Sequence, residues 1–230
     1  MRHVICNKFQ LTLIILLILP MPALAITAIN CHCFTNRSYN HTTPAAADPY
    51  FLATTQNSFF ALVFNTDKKT IVLKKQQGTS PDDLWIAYWV ASKSGMSPET
   101  LLQIKQENET WKEVLASLRL TTKVLGTRFS NDLNAQWSSA HLAESVVDEL
   151  FRSNHLLADM ELAALRKAGA SNQELIIATV IAVKTKQPAK QIYLEVKNGS
   201  KTWGSLLQWA KIDTKNKQYE ISSFLKMHPT

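Results

Sequence analysis

The chain of 230 residues is 46% hydrophobic and carries 25 basic against 18 acidic side chains, a net charge of +7. Three cysteines are too few for a disulfide-built scaffold, so the chain must stand on an apolar core, which its length and composition supply for one domain or two small ones. The basic excess is spread out. Its densest stretch, 197–217, contains Asp213 and lacks clustered arginine, which excludes a nucleic-acid surface and leaves a solvated one, with weak attraction to an anionic membrane or cell-wall polymer open.

Residues 1–25 read as a secretory signal peptide. Arg2 and Lys8 form a positive n-region without an acid, Leu11 to Leu19 is the apolar h-region, and Ala23-Leu24-Ala25 fits a small-x-small cleavage site after Ala25. The apolar run is shorter than the roughly 20 residues a bilayer core needs, and Pro20 and Pro22 follow it. Asn30 before Cys31 is a poor match to a lipidation site, which wants a small residue there. The reading is therefore a periplasmic or extracellular chain with no transmembrane segment after cleavage. Cleavage removes Cys6 and two basic residues, which takes the net charge from +7 to +5.

Residues 26–48 read as a flexible N-terminal arm, polar over Asn36 to Asp48 with Pro44 and three alanines and no periodic apolar face. Residues 49–125 form the first helical half. Tyr50 to Phe64 predicts a helix with a broad apolar face, and Asn65-Thr66-Asp67 starts a second one through Gln77. Ser80-Pro81-Asp82-Asp83 combines a capping Ser, Pro at the first helical position and acids in the first turn. The run it opens, Leu84 to Ala91, is apolar on every side and belongs in the middle of a core, with Gly95 closing it. Ser97-Pro98-Glu99 opens the next helix, and Thr110-Trp111 a third with Val114, Leu115 and Leu118.

Residues 126–139 (GTRFSNDLNAQWSS) read as an internal linker, and 140–230 as the second helical half. Helices are expected over Ala140–Arg152, over Asp159–Lys167 ending at Gly169, over Glu174–Lys184 capped by Ser171, from Pro188, from Thr202-Trp203, and over Glu220–Met227. Six glycines in the whole chain and few hairpin dipeptides favour an all-α fold.

The halves also overlay. Ser80 to Ala87 matches Ser171 to Ala178 at an offset of 91, and Thr110-Trp111-x-x-Val114-Leu115 matches Thr202-Trp203-x-x-Leu206-Leu207 after one inserted residue. This predicts a compact helical bundle of two related helical-hairpin halves. Trp111 and Trp203 could stack a ligand, but read better as packing residues, as do Trp85, Tyr88 and Trp89.

Chemistry-bearing residues gather in the arm. Cys31, His32, Cys33 and His41 place four soft or borderline donors within 11 residues, a set suited to a zinc, copper or iron ion. The Cys-x-Cys spacing is not the usual zinc pair, and no haem-attachment run is present. Cys31 and Cys33 could instead pair. A disulfide between residues two apart lies near the geometric limit and is readily reduced, which suits thiol–disulfide exchange, or it is a structural tie. His141, Glu144 and Asp148 share one face of their helix and could serve as ligands or acid–base groups, or form its wet side. No nucleophile elbow, phosphate loop, zinc-protease helix or dinucleotide fingerprint occurs, and no enzyme activity is indicated. Four Asn-x-Ser/Thr sequons (Asn36, Asn40, Asn108, Asn198) matter only in a eukaryotic source.

CHCF at 31–34, DPYFLATTQNSFF at 48–60, DDLWIAYW at 82–89 and the Trp-led repeats together resemble uncharacterised exported helical proteins of delta-proteobacteria, Geobacter-like bacteria in particular. The resemblance covers most of the chain after the leader. It implies a periplasmic all-α protein and brings no catalytic residue with it. The expected role is a binding or interaction module with a protein partner. A metal-binding arm and a thiol–disulfide protein stand as the alternatives.

Overall fold

Most of the helix boundaries expected from capping chemistry are observed. A computed structural model describes residues 38–212, apart from 117 and 119, and helix 217–226, with side chains there at 219–223. The leader expected over 1–25 lies outside the described residues. Thirteen helices and no strand occur among the described residues. They are α1 (Asp48–Val63), α2 (Lys68–Gln76), α3 (Pro81–Ser94), α4 (Pro98–Gln106), α5 (Trp111–Ala116), α6 (Thr122–Leu125), α7 (Thr127–Asn134), α8 (Ser139–Ser153), α9 (Asp159–Lys167), α10 (Asn172–Thr185), α11 (Ala189–Lys197), α12 (Trp203–Trp209) and α13 (Lys217–Lys226). No helix among the described residues is long and apolar enough to cross a membrane.

The caps explain where helices start. Asp67, Ser80, Ser97 and Ser138 each accept hydrogen bonds from backbone N–H groups of the turn they open, and Ser171 and Thr202 form capping boxes with Glu174 and Ser205. Thr110 and Glu113 bond reciprocally at the start of α5, which holds the Glu113 carboxyl below its usual range. Gly95 ends α3 at φ 73°, and Lys186 takes the same left-handed position after α10 at φ 61°.

The duplication runs further than the sequence match. Helices α1 to α5 have 16, 9, 14, 9 and 6 residues, and α8 to α12 have 15, 9, 14, 9 and 7 in the same order. The repeat thus begins at α1 and α8, two helices before the Ser80 and Ser171 caps that revealed it. Each half closes with a further helix, α7 or α13.

The halves do not pack as two separate bundles. The first long helix of each lies against the central helix of the other, α8 on α3 and α1 on α10. The closing helices obey the same exchange, α7 packing on α8 and α13 on α1. Within each half the central helix keeps its own hairpin partner, α4 on α3 and α11 on α10. The equivalent helices α1 and α8 meet at Phe59 and Phe151, with ring centroids 5.7 Å apart, and Phe60 packs at 4.5 Å on Trp85. Trp85, Tyr88, Trp89, Trp111 and Trp203 are all buried. The two indoles with described partners donate to Leu125 O (Trp89, 3.1 Å) and to Asp83 Oδ1 (Trp111, 2.7 Å).

Two boundaries differ from the sequence reading. Residues 40–47 are a chain of tight turns, with Thr43, Ala46 and Asp48 donating back to Asn40, Thr43 and Ala45. Ala47 is buried and Tyr39 packs on the core, so this part of the arm is docked, not extended. It docks on the second half. Asp48 accepts from the N–H groups of Trp203 (3.0 Å) and Gly204 (2.8 Å) at the start of α12. A Cβ at Gly204 would come within 2.8 Å of both the Phe51 and Tyr39 rings, so only glycine permits the approach.

The expected linker over 126–139 is largely helix α7. Its Asn, Ser and Asp content favours turns, but Phe129 and Leu133 lie one helical turn apart and are buried against α8. Truncating Phe129, which is wholly buried, should cost about 3–5 kcal/mol. Denaturant unfolding of Phe129→Ala measures this, and a loss under about 0.5 kcal/mol is what a solvated linker would give.

Candidate functional site

The four arm residues are not brought together among the described residues. Cys31, His32 and Cys33 lie outside them. His41 is exposed in the first turn, its ring edge-on to Tyr39 at 4.8 Å. No group of three or more His, Cys, Asp or Glu side chains able to hold a metal ion occurs among the described residues. His41 therefore stands there without a described co-ligand.

The face of His141, Glu144 and Asp148 also separates. His141 is exposed and stacks on the exposed Trp137, centroids 4.7 Å apart and planes at 21°. Glu144 is half-buried. Asp148, two turns on from His141, is completely buried and so is not part of a wet side. It is the centre of an ion network. Arg166 of α9 donates Nε to Asp148 Oδ1 at 2.9 Å, and its Nη2 lies 2.8 Å from the same oxygen. The Nη1 of Arg166 bonds Ala170 O at 2.9 Å and Nη2 bonds Asn172 Oδ1 at 2.6 Å, so this buried guanidinium is spent on fixed acceptors. Arg128 of α7 donates to Asp148 Oδ2 and pairs at 3.8 Å with Asp132, which in turn accepts from the Ser145 hydroxyl.

The duplication places a weaker copy of this network in the other half. Asn57 corresponds to Asp148 and Lys75 to Arg166 at the offset of 91, and Lys75 Nζ donates to Asn57 Oδ1 at 2.6 Å. The signal was present in the sequence as an acid inside the apolar run Val146-Val147-Asp148-x-Leu150-Phe151, with Arg166 at the repeat position of Lys75. Reading that run as one face of a surface helix hid it.

Above Asp148 the network opens to the surface as a cleft of about 440 Å³ between α7 and α8, lined by Thr127, Arg128, Asn131, Asp132, Glu149 and Arg152. Its floor is held by the hydrogen bonds below it. Glu149 Oε1 accepts from the backbone N–H of Arg128 at 3.0 Å, and Gly126 at φ 92° leaves room for that carboxylate, which a Cβ would meet at 2.5 Å. Arg152 is steadied from outside by Asp159 at 3.0 Å. Arg128 and Arg152 each keep about a third of their side-chain surface exposed, at 36% and 34%. The cleft thus presents fixed hydrogen-bond donors and acceptors of both signs, an arrangement suited to holding a polar group.

A second charged station sits at the start of α3. Burial pushes the Asp82 carboxyl above its usual range, the neighbouring Asp83 and Glu144 push the same way, and Lys75 opposes them. Burial likewise raises Asp48, against the two N–H groups of α12 that pull it down. No family model matches the chain, and no curated protein and no solved structure matches it either.

Two outcomes test this electrostatic picture. Asp148→Asn leaves Arg166 buried without its counter-charge and should destabilise the fold by about 3–5 kcal/mol in denaturant unfolding; a loss below about 1 kcal/mol would mean the network is not desolvated. For Asp82 the folded carboxyl holds its proton more tightly than the unfolded one at 3.8, so its ionised form costs stability above the raised value, and that cost fades as the pH falls through it towards 3.8. Asp82→Asn should therefore raise the Tm near pH 7 and leave it unchanged near pH 3.5, roughly below the ordinary carboxylate value. Equal gains at both would rule out the ionisation as the cause.

Proposed function

We propose that the chain is an exported binding protein that engages a partner at the α7–α8 cleft. The observation that carries the reading is the fixed set of charged side chains in that cleft, anchored from beneath by the buried Asp148. Preorganised polar groups lose little freedom on binding, so they favour recognition. Mixed signs within one cleft suit a polar partner surface and restrict which partner fits. The n-region, h-region and cleavage-site pattern of residues 1–25 support export to the periplasm or out of the cell. The resemblance to exported helical proteins of delta-proteobacteria points the same way. In this reading the helical halves are the scaffold and the cleft is the working surface.

Site-specific photo-crosslinking in the native host tests it. A photoreactive residue at Asn131, in the cleft, should give a discrete higher-mass adduct in the exported fraction, on a chain that begins at Ile26. The same residue at Gln173, whose side chain bonds Gln56 inside the fold, is the control. Arg152→Glu in the Asn131 background should abolish the adduct. Adducts at neither position, or equally at both, would defeat the reading, and an uncut leader would defeat its export half.

A further inference from the structure

We propose that the second half binds a small planar aromatic anion, of the indole carboxylate class, at a site separate from the α7–α8 cleft. The site is a cavity of about 260 Å³ where the end of α10 faces Ile212 and α13. Val180, Val183 and Ile212 give it an apolar wall, and Lys184, Lys186 and Glu220 a charged rim.

The other half shows what this position holds. Val180 and Lys184 correspond to Trp89 and Lys93 at the offset of 91. On the opposite flank, with the inserted residue counted, Ile221 of α13 takes the place of Phe129 of α7, and both are wholly buried. In half one the space is filled from within the chain. Trp89 is buried, its Nε1 donates to Leu125 O at the end of α6, and Lys93 Nζ lies 4.4 Å from the centroid of its ring. In half two the indole is replaced by the small side chain of Val180, and the cavity lies against it. None of the described lining residues is aromatic, so no other ring of the chain takes the place of the missing one.

The groups that surround Trp89 in half one have counterparts around the cavity. Lys184 sits one helical turn beyond Val180, as Lys93 does beyond Trp89. Its Nζ donates to both carboxylate oxygens of Glu220, at 3.1 and 2.9 Å, which holds the ammonium at the rim. An ammonium over a ring is attracted to the negative face of the π system. A ring entering beside Val180 therefore meets from Lys184 the interaction that Trp89 receives from Lys93. An apolar cavity of roughly 150 Å³ already accepts benzene, so about 260 Å³ has room for two fused rings. Glu220 neutralises Lys184. Lys186, exposed at the rim, is left to answer an anionic group carried by the ring.

The test is calorimetric titration of the chain after the leader with indole-3-acetate. One site per chain is expected. Cyclohexylacetate, which has the charge without the π face, should bind about tenfold more weakly, and Lys186→Glu should weaken indole-3-acetate by about the same factor. Val180→Trp supplies the ring from the chain itself, as half one does, and should abolish binding without lowering the Tm. A wild type that binds more weakly than about 10 mM, equal affinity for the two acids, or binding that survives Val180→Trp overturns the proposal. If Val180→Trp fails to fold, the comparison of the two acids and Lys186→Glu decide, and an affinity that neither changes overturns it.

Discussion

The fold depends on two helices that their own halves cannot cover. Leu84 to Val90 in α3 and Leu175 to Ala182 in α10 are buried at every consecutive position, so each needs neighbours all the way round. The hairpin partner within the same half has nine residues and covers one side. The helices that follow it, six and seven residues long, are each shorter than the core run of their own half. Only the long first helix of the opposite half reaches along the uncovered side. The exchange of α1 and α8 is the geometric answer to an apolar run made twice in one chain.

That answer decides the polar chemistry of α1 and α8. A helix enclosed by helices on several sides cannot send its polar residues to water, and Thr54 to Ser58 are five consecutive buried polar positions. Thr54, Thr55 and Ser58 turn their hydroxyls back to the carbonyls one turn earlier, at 2.8, 2.7 and 2.8 Å. Gln56 accepts from Gln173 of α10 at 2.8 Å, a bond between opposite halves. Helix α8 uses the same devices at the same repeat positions, Ser145 for Thr54 and Asp148 for Asn57. Buried groups that each need one specified partner are costly in any other register, so the polar stripe selects how the long helices sit against the core.

What the sequence disclosed, and what it hid, follows from how far each signal reaches. Capping is local chemistry, so Ser80, Ser97, Ser171 and Thr202 announced their helices within four residues. Three-dimensional exchange is not local, and no periodicity in Tyr50 to Phe64 distinguishes packing on α3 from packing on α10. The repeat was legible where both copies keep strong residues, the Ser caps and the tryptophans, and faded over α1 and α8, where Phe51 stands opposite Leu142 and Gln56 opposite Val147. Helix α7 was lost because its composition speaks for turns while only Phe129 and Leu133 speak for a helix. Of the candidate site, Asp148 was picked out by its helical spacing but assigned to the wrong environment. Its partners Arg128 and Arg166 are 20 and 18 residues away, and of the two only Arg166 has a described counterpart in the repeat, Lys75.

The divergence of the two halves supports the proposed working surface better than either half alone. At the position of Asp148 the first half carries neutral Asn57, and the architecture around it is the same. The repeated architecture therefore tolerates an amide where Lys75 is the partner, whereas Asp148 answers the two guanidinium groups of half two. Half one meets the same position with an ammonium-to-amide hydrogen bond, Lys75 to Asn57, in place of the ion network. The charges of half two, Asp148 with Arg128 and Arg166, hold Arg128 at the floor of the α7–α8 cleft, and Glu149 caps α7 from its side. Departures from what the scaffold alone needs concentrate where a protein does its work. Here the departure and the cleft coincide, which is the strongest support for placing recognition at α7 and α8 and leaving the rest of the duplicated scaffold to hold them.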